Sequence, residues 1–173
     1  MTPDERSAAE SGDLDLTEDG ALGGRLRLRQ PRRGHRFGHD AVLLAAATAA
    51  QPGERVVEFG AGVGLAGLAL AWRVPGAQVT LVEIDPRLAA LAEDNARLNG
   101  LADRVRTVAL DVAARPRAFA AQGLAPAAAD RVMMNPPYND PVRHHVSPDL
   151  GRRAAHTGGA ETLAVWCRVA ARL

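Results

Sequence analysis

The chain has 173 residues, 47% of them hydrophobic and 24% charged, which is typical of one folded domain and argues against a disordered or multidomain protein. The formal net charge of +1 hides an uneven distribution, because the first 20 residues hold seven acidic residues against Arg6 and leave the remainder basic. The sequence shows no long uncharged apolar run, no signal-like N-terminus and one cysteine, Cys167, so we expect a cytoplasmic protein without membrane association.

The first part of the chain divides into a tail, a strand and a helix. Residues 1–16 are predicted to be a flexible acidic tail. In RLRLRQP, residues 25–31, leucine and arginine alternate with period two, which predicts a strand with one basic, solvent-facing side. The alanine- and leucine-rich stretch GHDAVLLAAATAA, residues 38–50, predicts a helix with His39 or Asp40 as its N-cap.

The rest of the sequence alternates predicted strands with predicted helices. Strands are predicted at residues 55–59, 78–84, 104–110 and 130–134, and helices at residues 65–73, from Pro86 to Asn99, and at residues 117–122. Asp85 is the predicted N-cap of the second of these helices, with Pro86 in its first turn. Such alternation implies right-handed crossovers and a parallel sheet. We therefore expect an α/β fold, Rossmann-like and doubly wound, over residues 17–173.

A glycine-rich turn follows the first of these strands. In a doubly wound sheet, ligands bind at the carboxyl ends of the strands where the winding reverses, and glycines let the backbone approach a ligand closely. The E-x-G-x-G-x-G pattern of S-adenosylmethionine enzymes is met by Glu58, Gly60, Gly62 and Gly64. The dinucleotide pattern G-x-G-x-x-G is met by Gly62, Gly64 and Gly67. The turn predicts a nucleotide-like cofactor and leaves both types open.

Two acidic residues follow the next two strands. Glu83 comes 23 residues after Gly60, a distance that suits contact with the ribose hydroxyls of an adenosine-containing ligand. Asp111 directly follows the third strand and is a candidate acceptor for an adenine amino group. Together with the glycine turn, these residues predict a site for an adenosine-containing cofactor.

The stretch NPPY, residues 135–138, follows the fourth strand and resembles the [DNS]-P-P-[YFW] motif of methyltransferases that modify a planar amino nitrogen. Such a nitrogen is a poor nucleophile because its lone pair is delocalised, and acceptors at its two N–H groups favour the reactive pyramidal form. We expect the Asn135 side-chain oxygen and the Pro136 carbonyl to be these acceptors, with Pro137 stiffening the backbone. Tyr138 is expected to stack on a flipped base. The expected cofactor is then S-adenosylmethionine, with Asn135 close to it as well.

From about Thr17 onward the chain is similar to the class I methyltransferases of the small-domain family. Within that family it most resembles the bacterial tRNA adenine-N6 methyltransferases that act beside the anticodon of a valine tRNA. The resemblance is carried by the stretches GGRLRLRQPRRGHRFGHDAVLLAA, EFGAGVGLAGLALA, VEIDPRLAALAEDNARLNG, NPPY and AAHTGGAETLAVWCRVAARL. It implies methylation of an exocyclic N6 amine of an adenosine in tRNA. Two neighbouring groups stay open: guanine-N2 ribosomal RNA methyltransferases, and glutamine-N5 methyltransferases of release factors, which carry an N-terminal helical domain not found here.

Basic residues on both sides of the predicted sheet support a nucleic-acid substrate. The candidate RNA-binding residues are Arg32, Arg33 and Arg36 before the sheet, and Arg143, Arg152 and Arg153 after NPPY. His144 and His145 have no third ligand at a suitable spacing, so we expect no metal.

Two other classes of protein stay open on the residues alone. An NAD-dependent oxidoreductase would share the glycine turn and Glu83 but would not need NPPY, whereas a noncatalytic RNA-binding module would share the arginines. In the family that the chain resembles, the helix matched by ETLAVWCRVAARL is followed by further strands. We therefore expect the chain to lack the C-terminal strands and to expose the edge of its fourth strand. The chain should then form a homodimer or aggregate through that edge, and its methyl transfer should be weak or absent.

Overall fold

A computed structural model of the chain describes residues 15–33, 36–136 and 160–173. Its strands are β1 (Leu16–Ala21), β2 (Leu26–Pro31), β3 (Arg55–Phe59), β4 (Gln78–Glu83), β5 (Val105–Ala109) and β6 (Arg131–Met134). Its helices are α1 (His39–Ala47), α2 (Leu65–Arg73), α3 (Pro86–Leu98), α4 (Pro116–Ala121) and α5 (Ala160–Ala170). β1 and β2 form an antiparallel hairpin, and the other four strands form a parallel sheet.

The parallel sheet has the strand order β5-β4-β3-β6, which makes it Rossmann-like. The chain winds from β3 through β4 to β5 and then returns to place β6 on the other side of β3. The winding therefore reverses between β3 and β6, where such sheets bind ligands. All residues of β3 and β4 except the first of each strand are buried, because helices cover both faces of the sheet. The expected α/β fold is confirmed.

Alternate residues of β3 face two separate layers of the core. Val56 faces the layer that contains α1, α2 and α3, whereas Val57 and Phe59 face the layer that contains α4 and α5. α2 lies very close to the sheet, since a Cβ built on Gly67 would lie 2.3 Å from the Leu81 side chain. This close packing fixes the start of α2, and with it the glycine turn that leads into the helix.

The β1–β2 hairpin is joined to α3 by two asparagines. The fully buried Asn95 accepts a hydrogen bond from the Arg29 backbone N–H at 2.8 Å and donates to the Arg29 carbonyl at 2.9 Å. Asn99 makes the same pair of bonds with the backbone of Arg27, at 2.9 and 2.7 Å. Asn95 also donates to the Val63 carbonyl at 3.0 Å. Because Val63 belongs to the glycine turn, Asn95 connects the hairpin, α3 and the turn.

α5 covers the other face of the sheet near the carboxyl end of β3. The Trp166 ring packs edge-on against Phe59, with 6.1 Å between the ring centroids. A Cβ built on Gly60 would lie 2.7 Å from the Trp166 ring. After the helix, the Leu173 carbonyl accepts a hydrogen bond from the Ala129 N–H at 2.8 Å. α5 is therefore held beside the first residue of the glycine turn.

The elements predicted from residue 55 onward are confirmed, with small shifts at their ends, whereas β1 was not predicted. Leu16, which was assigned to the tail, is the first residue of this strand. β1 is polar and owes its place to β2: Glu18 lies opposite Arg29 and accepts hydrogen bonds from the side chains of Arg27 and Arg29. The turn between the strands contains Gly23 with a φ of +66°.

α1 differs from the predicted helix at both ends. Its N-cap is Gly38, so the prediction of His39 or Asp40 as the cap was wrong, and Asp40 lies within the first turn. The helix ends at Ala47, earlier than predicted, because Thr48 takes extended dihedral angles. Because Asp40 does not cap the helix, its carboxylate is available for a contact outside α1.

Candidate active site

The carboxyl ends of the four parallel strands lie side by side. In register, Phe59 of β3 is opposite Met134 of β6 and Val82 of β4, and Glu83 of β4 is opposite Ala109 of β5. The residues that follow these strands therefore leave the sheet at the same end. At or just after these carboxyl ends lie the described residues predicted for cofactor and amine binding: Glu58, Gly60, Gly62, Gly64, Glu83, Asp111, Asn135 and Pro136.

In the glycine turn, Gly60–Gly64, the last two of the three glycines are under different constraints. Gly62 and Gly64 have φ values of +56° and +90°, a region that side chains disfavour. A Cβ built on Gly64 would lie 2.9 Å from the Leu81 side chain, whereas one built on Gly62 would meet nothing within 4 Å. Gly64 is therefore required by packing, and the space beside Gly62 is open to a ligand.

Glu83 shapes the glycine turn. Its Oε2 accepts a hydrogen bond from the Gly62 N–H at 2.7 Å, and its Oε1 accepts one from the Asp85 N–H at 3.0 Å. The residue is 7% exposed. Each carboxylate oxygen has a further lone pair, so Glu83 can hold the turn and still accept hydrogen bonds from ligand hydroxyl groups. Its spacing from the glycines did not indicate its contact with the turn.

Glu58 lies beneath the turn and contacts α2. Its Oε2 accepts a hydrogen bond from the Gly67 N–H at 2.7 Å. Burial raises the pKa of Glu58 to about 8; the Gly67 N–H opposes this rise, and the charge of Glu83 adds to it. The Glu58 side chain is therefore mostly protonated at neutral pH. Its contacts indicate that it joins the strand to the helix.

Asp111 forms a local turn at the end of β5. Its Oδ1 accepts a hydrogen bond from the Ala113 N–H at 2.8 Å, and its backbone carbonyl accepts one from the Ala114 N–H at 2.9 Å. The residue is exposed. Because a carboxylate accepts up to about four hydrogen bonds, this turn leaves Asp111 able to contact a ligand.

Asn135 is exposed at the carboxyl end of β6, and the following Pro136 is buried. The Nδ2 of Asn135 donates a hydrogen bond to the Oδ2 of Asp40, in the first turn of α1. No sequence pattern indicates this contact, because the two residues are 95 positions apart. Pro137 and Tyr138, predicted to complete the amine site, lie outside the described residues.

The predicted RNA-binding arginines have different surroundings. Arg36 donates to Asp19 Oδ2 at 2.9 Å and so holds the base of the hairpin. Arg32 forms an ion pair with Asp15 at 3.0 Å in which both side chains are exposed, and Arg33 is exposed. Arg143, Arg152 and Arg153 lie outside the described residues.

Within residues 15–33, 36–136 and 160–173, no group of three or more His, Cys, Asp or Glu side chains is arranged to hold a metal ion. In the same part of the chain, no helix combines the length and the apolar character needed to span a membrane. His144 and His145 are not among the described residues.

The known proteins to which the chain is similar include methyltransferases. The tRNA1(Val) (adenine(37)-N6)-methyltransferase of Tolumonas auensis is 30% identical over 138 residues, which cover 79% of this chain and 54% of that protein. The 23S rRNA (uracil(1939)-C(5))-methyltransferase RlmD of Acidithiobacillus ferrooxidans is 43% identical over 88 residues, which cover 50% of this chain and 19% of that protein. The crystal structure of TYW2 from Pyrococcus horikoshii in complex with MeSAdo has a TM-score of 0.54 and 26% identity, covering 70% of this chain and 42% of that one.

The chain spans about half or less of the length of these relatives. A match to the methyltransferase small domain family extends over residues 36–157. This match includes the glycine turn, Glu83, Asp111 and Asn135, which the structure places at the carboxyl ends of the parallel strands. The chain belongs to the methyltransferase small domain family.

Proposed function

We propose that the chain is an S-adenosylmethionine-dependent N-methyltransferase that modifies the exocyclic N6 amine of an adenosine in tRNA. The proposal is carried by the position of Asn135 next to the glycine turn. Phe59 of β3 pairs in register with Met134 of β6, so Gly60 and Asn135 leave the sheet on neighbouring strands. Family membership supports methyl transfer, and the relative from Tolumonas auensis supports tRNA adenine as the target.

The residues at the strand ends fit S-adenosylmethionine, which supplies a methyl group on a positively charged sulfur. The open space beside Gly62, at the N-terminal side of α2, fits the methionine end of the cofactor. The carboxylate of Glu83 is a suitable acceptor for ribose hydroxyls, and Asp111 is a suitable acceptor for the adenine amino group. Glu58 supports this proposed cofactor site by holding α2 against β3.

Asn135 and Pro136 are proposed to activate the amine. The Asn135 side-chain oxygen and the Pro136 carbonyl accept hydrogen bonds from its two N–H groups, and these bonds strengthen as positive charge develops on the nitrogen. The rigid Pro136-Pro137 pair keeps the two acceptors in place. Tyr138 is proposed to stack on the target base.

RNA binding is assigned to the exposed arginines. The ion pair between Arg32 and Asp15 is open to solvent, so a phosphate can replace the carboxylate at little cost. Arg33 is also exposed, whereas Arg36 is engaged with the hairpin and is proposed to contribute less. Arg143, Arg152 and Arg153 lie outside the described residues, and we propose them as RNA-binding residues on the sequence pattern alone. A tRNA substrate would place the activity in the cytoplasm.

A methyl-transfer assay tests the proposal. The chain is incubated with tritiated S-adenosylmethionine and, separately, unmodified tRNA, ribosomal RNA or a release factor, followed by nucleoside or amino-acid analysis. Labelled N6-methyladenosine in tRNA is the expected product. Labelled N2-methylguanosine in ribosomal RNA, or N5-methylglutamine in the release factor, would assign the activity to a neighbouring group. RNA binding without any transfer would favour a noncatalytic module.

A homodimer through β6 stays a prediction. Within the described residues β6 pairs with β3 alone, so its outer side is an edge of the sheet. Exposed strand edges favour pairing with a second chain. Sedimentation velocity at several protein concentrations is expected to show a dimer, and a monomer at all of them would contradict the prediction.

A further inference from the structure

We propose that Asp40 is a positioning residue that fixes the orientation of the Asn135 side-chain amide. The proposal rests on the function proposed above, because it concerns how Asn135 presents its oxygen to an amine. It is carried by the hydrogen bond that Asn135 Nδ2 donates to Asp40 Oδ2.

The chemistry of the two groups allows one orientation of the amide. An ionised carboxylate accepts hydrogen bonds and cannot donate them, so Asp40 selects the Nδ2 of Asn135. The planar amide then directs Oδ1 away from Asp40. The reverse orientation would place the amide oxygen against a negatively charged oxygen and would lose a charge-assisted hydrogen bond. Asn135 therefore presents an acceptor to the incoming amine.

Asp40 is itself held by its surroundings. It lies in the first turn of α1, where the helix dipole favours a negative charge. A Cβ built on Gly38 would lie 2.6 Å from the Asp40 Oδ1, so the glycine makes room for this carboxylate. Thr48, which directly follows α1, also contacts β6, because its hydroxyl lies 3.7 Å from the Met133 sulfur. The segments around Asp40 and Asn135 are thus in contact at a second point.

A reciprocal exchange of the two side chains tests the proposal. The Asn135→Asp variant places two carboxylates against each other and is expected to lower the rate of methyl transfer by ~100-fold or more. Adding Asp40→Asn to this variant provides an amide that donates to the new carboxylate, whose other oxygen then faces the amine. The double variant is expected to be at least ~10-fold faster than Asn135→Asp alone.

Single variants separate positioning from general stability. Asp40→Asn is expected to lower kcat ~3–10-fold without changing the affinity for S-adenosylmethionine, because two amides can pair in either orientation. Gly38→Ala is expected to act in the same direction, since its Cβ displaces the Asp40 carboxylate. Asp103→Asn is the control, because it removes an exposed carboxylate at the amino end of β5, away from the carboxyl ends of the strands where Asn135 lies.

Two kinds of result would overturn the inference. One is a double variant no faster than Asn135→Asp, and the other is an Asp40→Asn variant with the same kcat as Asp103→Asn. If the parent chain methylates no substrate, the proposed function fails and NMR still decides the inference. The Asn135 side-chain amide signals, assigned by their loss in Asn135→Ala, should shift and exchange faster in Asp40→Asn and not in Asp103→Asn. Unchanged signals in Asp40→Asn would show that Asp40 does not orient the amide.

Discussion

The carboxylate of Glu83 accepts a hydrogen bond from the backbone of Gly62 at 2.7 Å, although the two residues are 21 positions apart. Its other oxygen accepts from the Asp85 N–H at 3.0 Å. One side chain thus joins the turn after β3 to the turn after β4. The candidate cofactor site is therefore shaped by a contact within the protein before a ligand arrives.

Replacing Glu83 should affect both stability and cofactor binding. Glu83→Ala is expected to lower the free energy of unfolding by ~1–3 kcal/mol and S-adenosylmethionine affinity by ~10-fold or more, because two backbone N–H groups and the ribose lose their acceptor. Glu83→Gln, which keeps one carbonyl acceptor, should show smaller effects. Calorimetric titration and thermal unfolding measure the two quantities. An affinity within about threefold of the parent in folded Glu83→Ala would remove Glu83 from the site.

Two glycine substitutions separate backbone strain from loss of ligand space. Gly62 and Gly53 have φ values of +56° and +86°, and a Cβ on either meets nothing within 4 Å. Gly62→Ala and Gly53→Ala should therefore cost similar stability, about 1–2 kcal/mol each. Only Gly62→Ala is expected to weaken S-adenosylmethionine binding, because its methyl group enters the space beside the turn. Equal affinities of the two variants in calorimetry would show that this space is not used.

The unit from β3 to α3 was predictable because its signals are local. Apolar runs mark β3 and β4, and glycines mark the turn. The predicted N-cap Asp85 is confirmed, since it accepts a hydrogen bond from the Arg87 N–H at 2.9 Å. Each of these features depends on neighbours in the sequence, so spacing was enough to place them.

The features that the sequence did not predict depend on distant residues. β1 is polar and is held by its pairing with β2, so its sequence lacks the apolar pattern that would predict a strand. Asn95 looks like an ordinary residue inside a helix, yet it bonds to the backbone of β2, 66 positions away. The contact between Asp40 and Asn135 is likewise set by how α1 and β6 pack. Helix and strand propensities contain no information about such pairs.

The buried carboxyl of Glu58 predicts a dependence of stability on pH. Its pKa of about 8 in the folded protein lies above the ordinary value of 4.5, so between these values the folded state binds a proton that the unfolded state has lost. The contribution of Glu58 to the free energy of unfolding is therefore greatest below about pH 4.5 and falls as the pH rises toward about 8. The difference is up to ~5 kcal/mol, since each pKa unit corresponds to about 1.4 kcal/mol.

Glu58→Gln removes this titration while keeping an acceptor for the Gly67 N–H. The variant is expected to be more stable than the parent at pH 8, with a flatter pH profile between pH 5 and 8. Chemical denaturation at several pH values measures both profiles. Parallel profiles for the two proteins would mean that Glu58 is ionised in the folded state.

The two tryptophans form a matched pair for testing how α5 is held. Trp166→Ala removes the ring that packs on Phe59 and over Gly60, and is expected to cost about 2–3 kcal/mol of stability. Trp72, which is 44% exposed and lies near Arg25, serves as the control. Trp72→Ala should cost less than about 1 kcal/mol. Urea unfolding of both variants checks this order, and equal costs would contradict the assigned contact of α5 with the turn.

Substitution of Asn135 should separate catalysis from cofactor binding. Asn135→Ala is expected to leave S-adenosylmethionine affinity nearly unchanged and to lower methyl transfer by at least ~100-fold, because the lost acceptor acts mainly where positive charge develops on the amine. Asn135→Ser, which keeps a hydroxyl oxygen as acceptor, should lose less activity. Single-turnover rates at saturating cofactor and substrate measure the effect. A rate for Asn135→Ala within about tenfold of the parent would mean that the amine is activated by other groups, since a lost acceptor at a developing charge costs more than this.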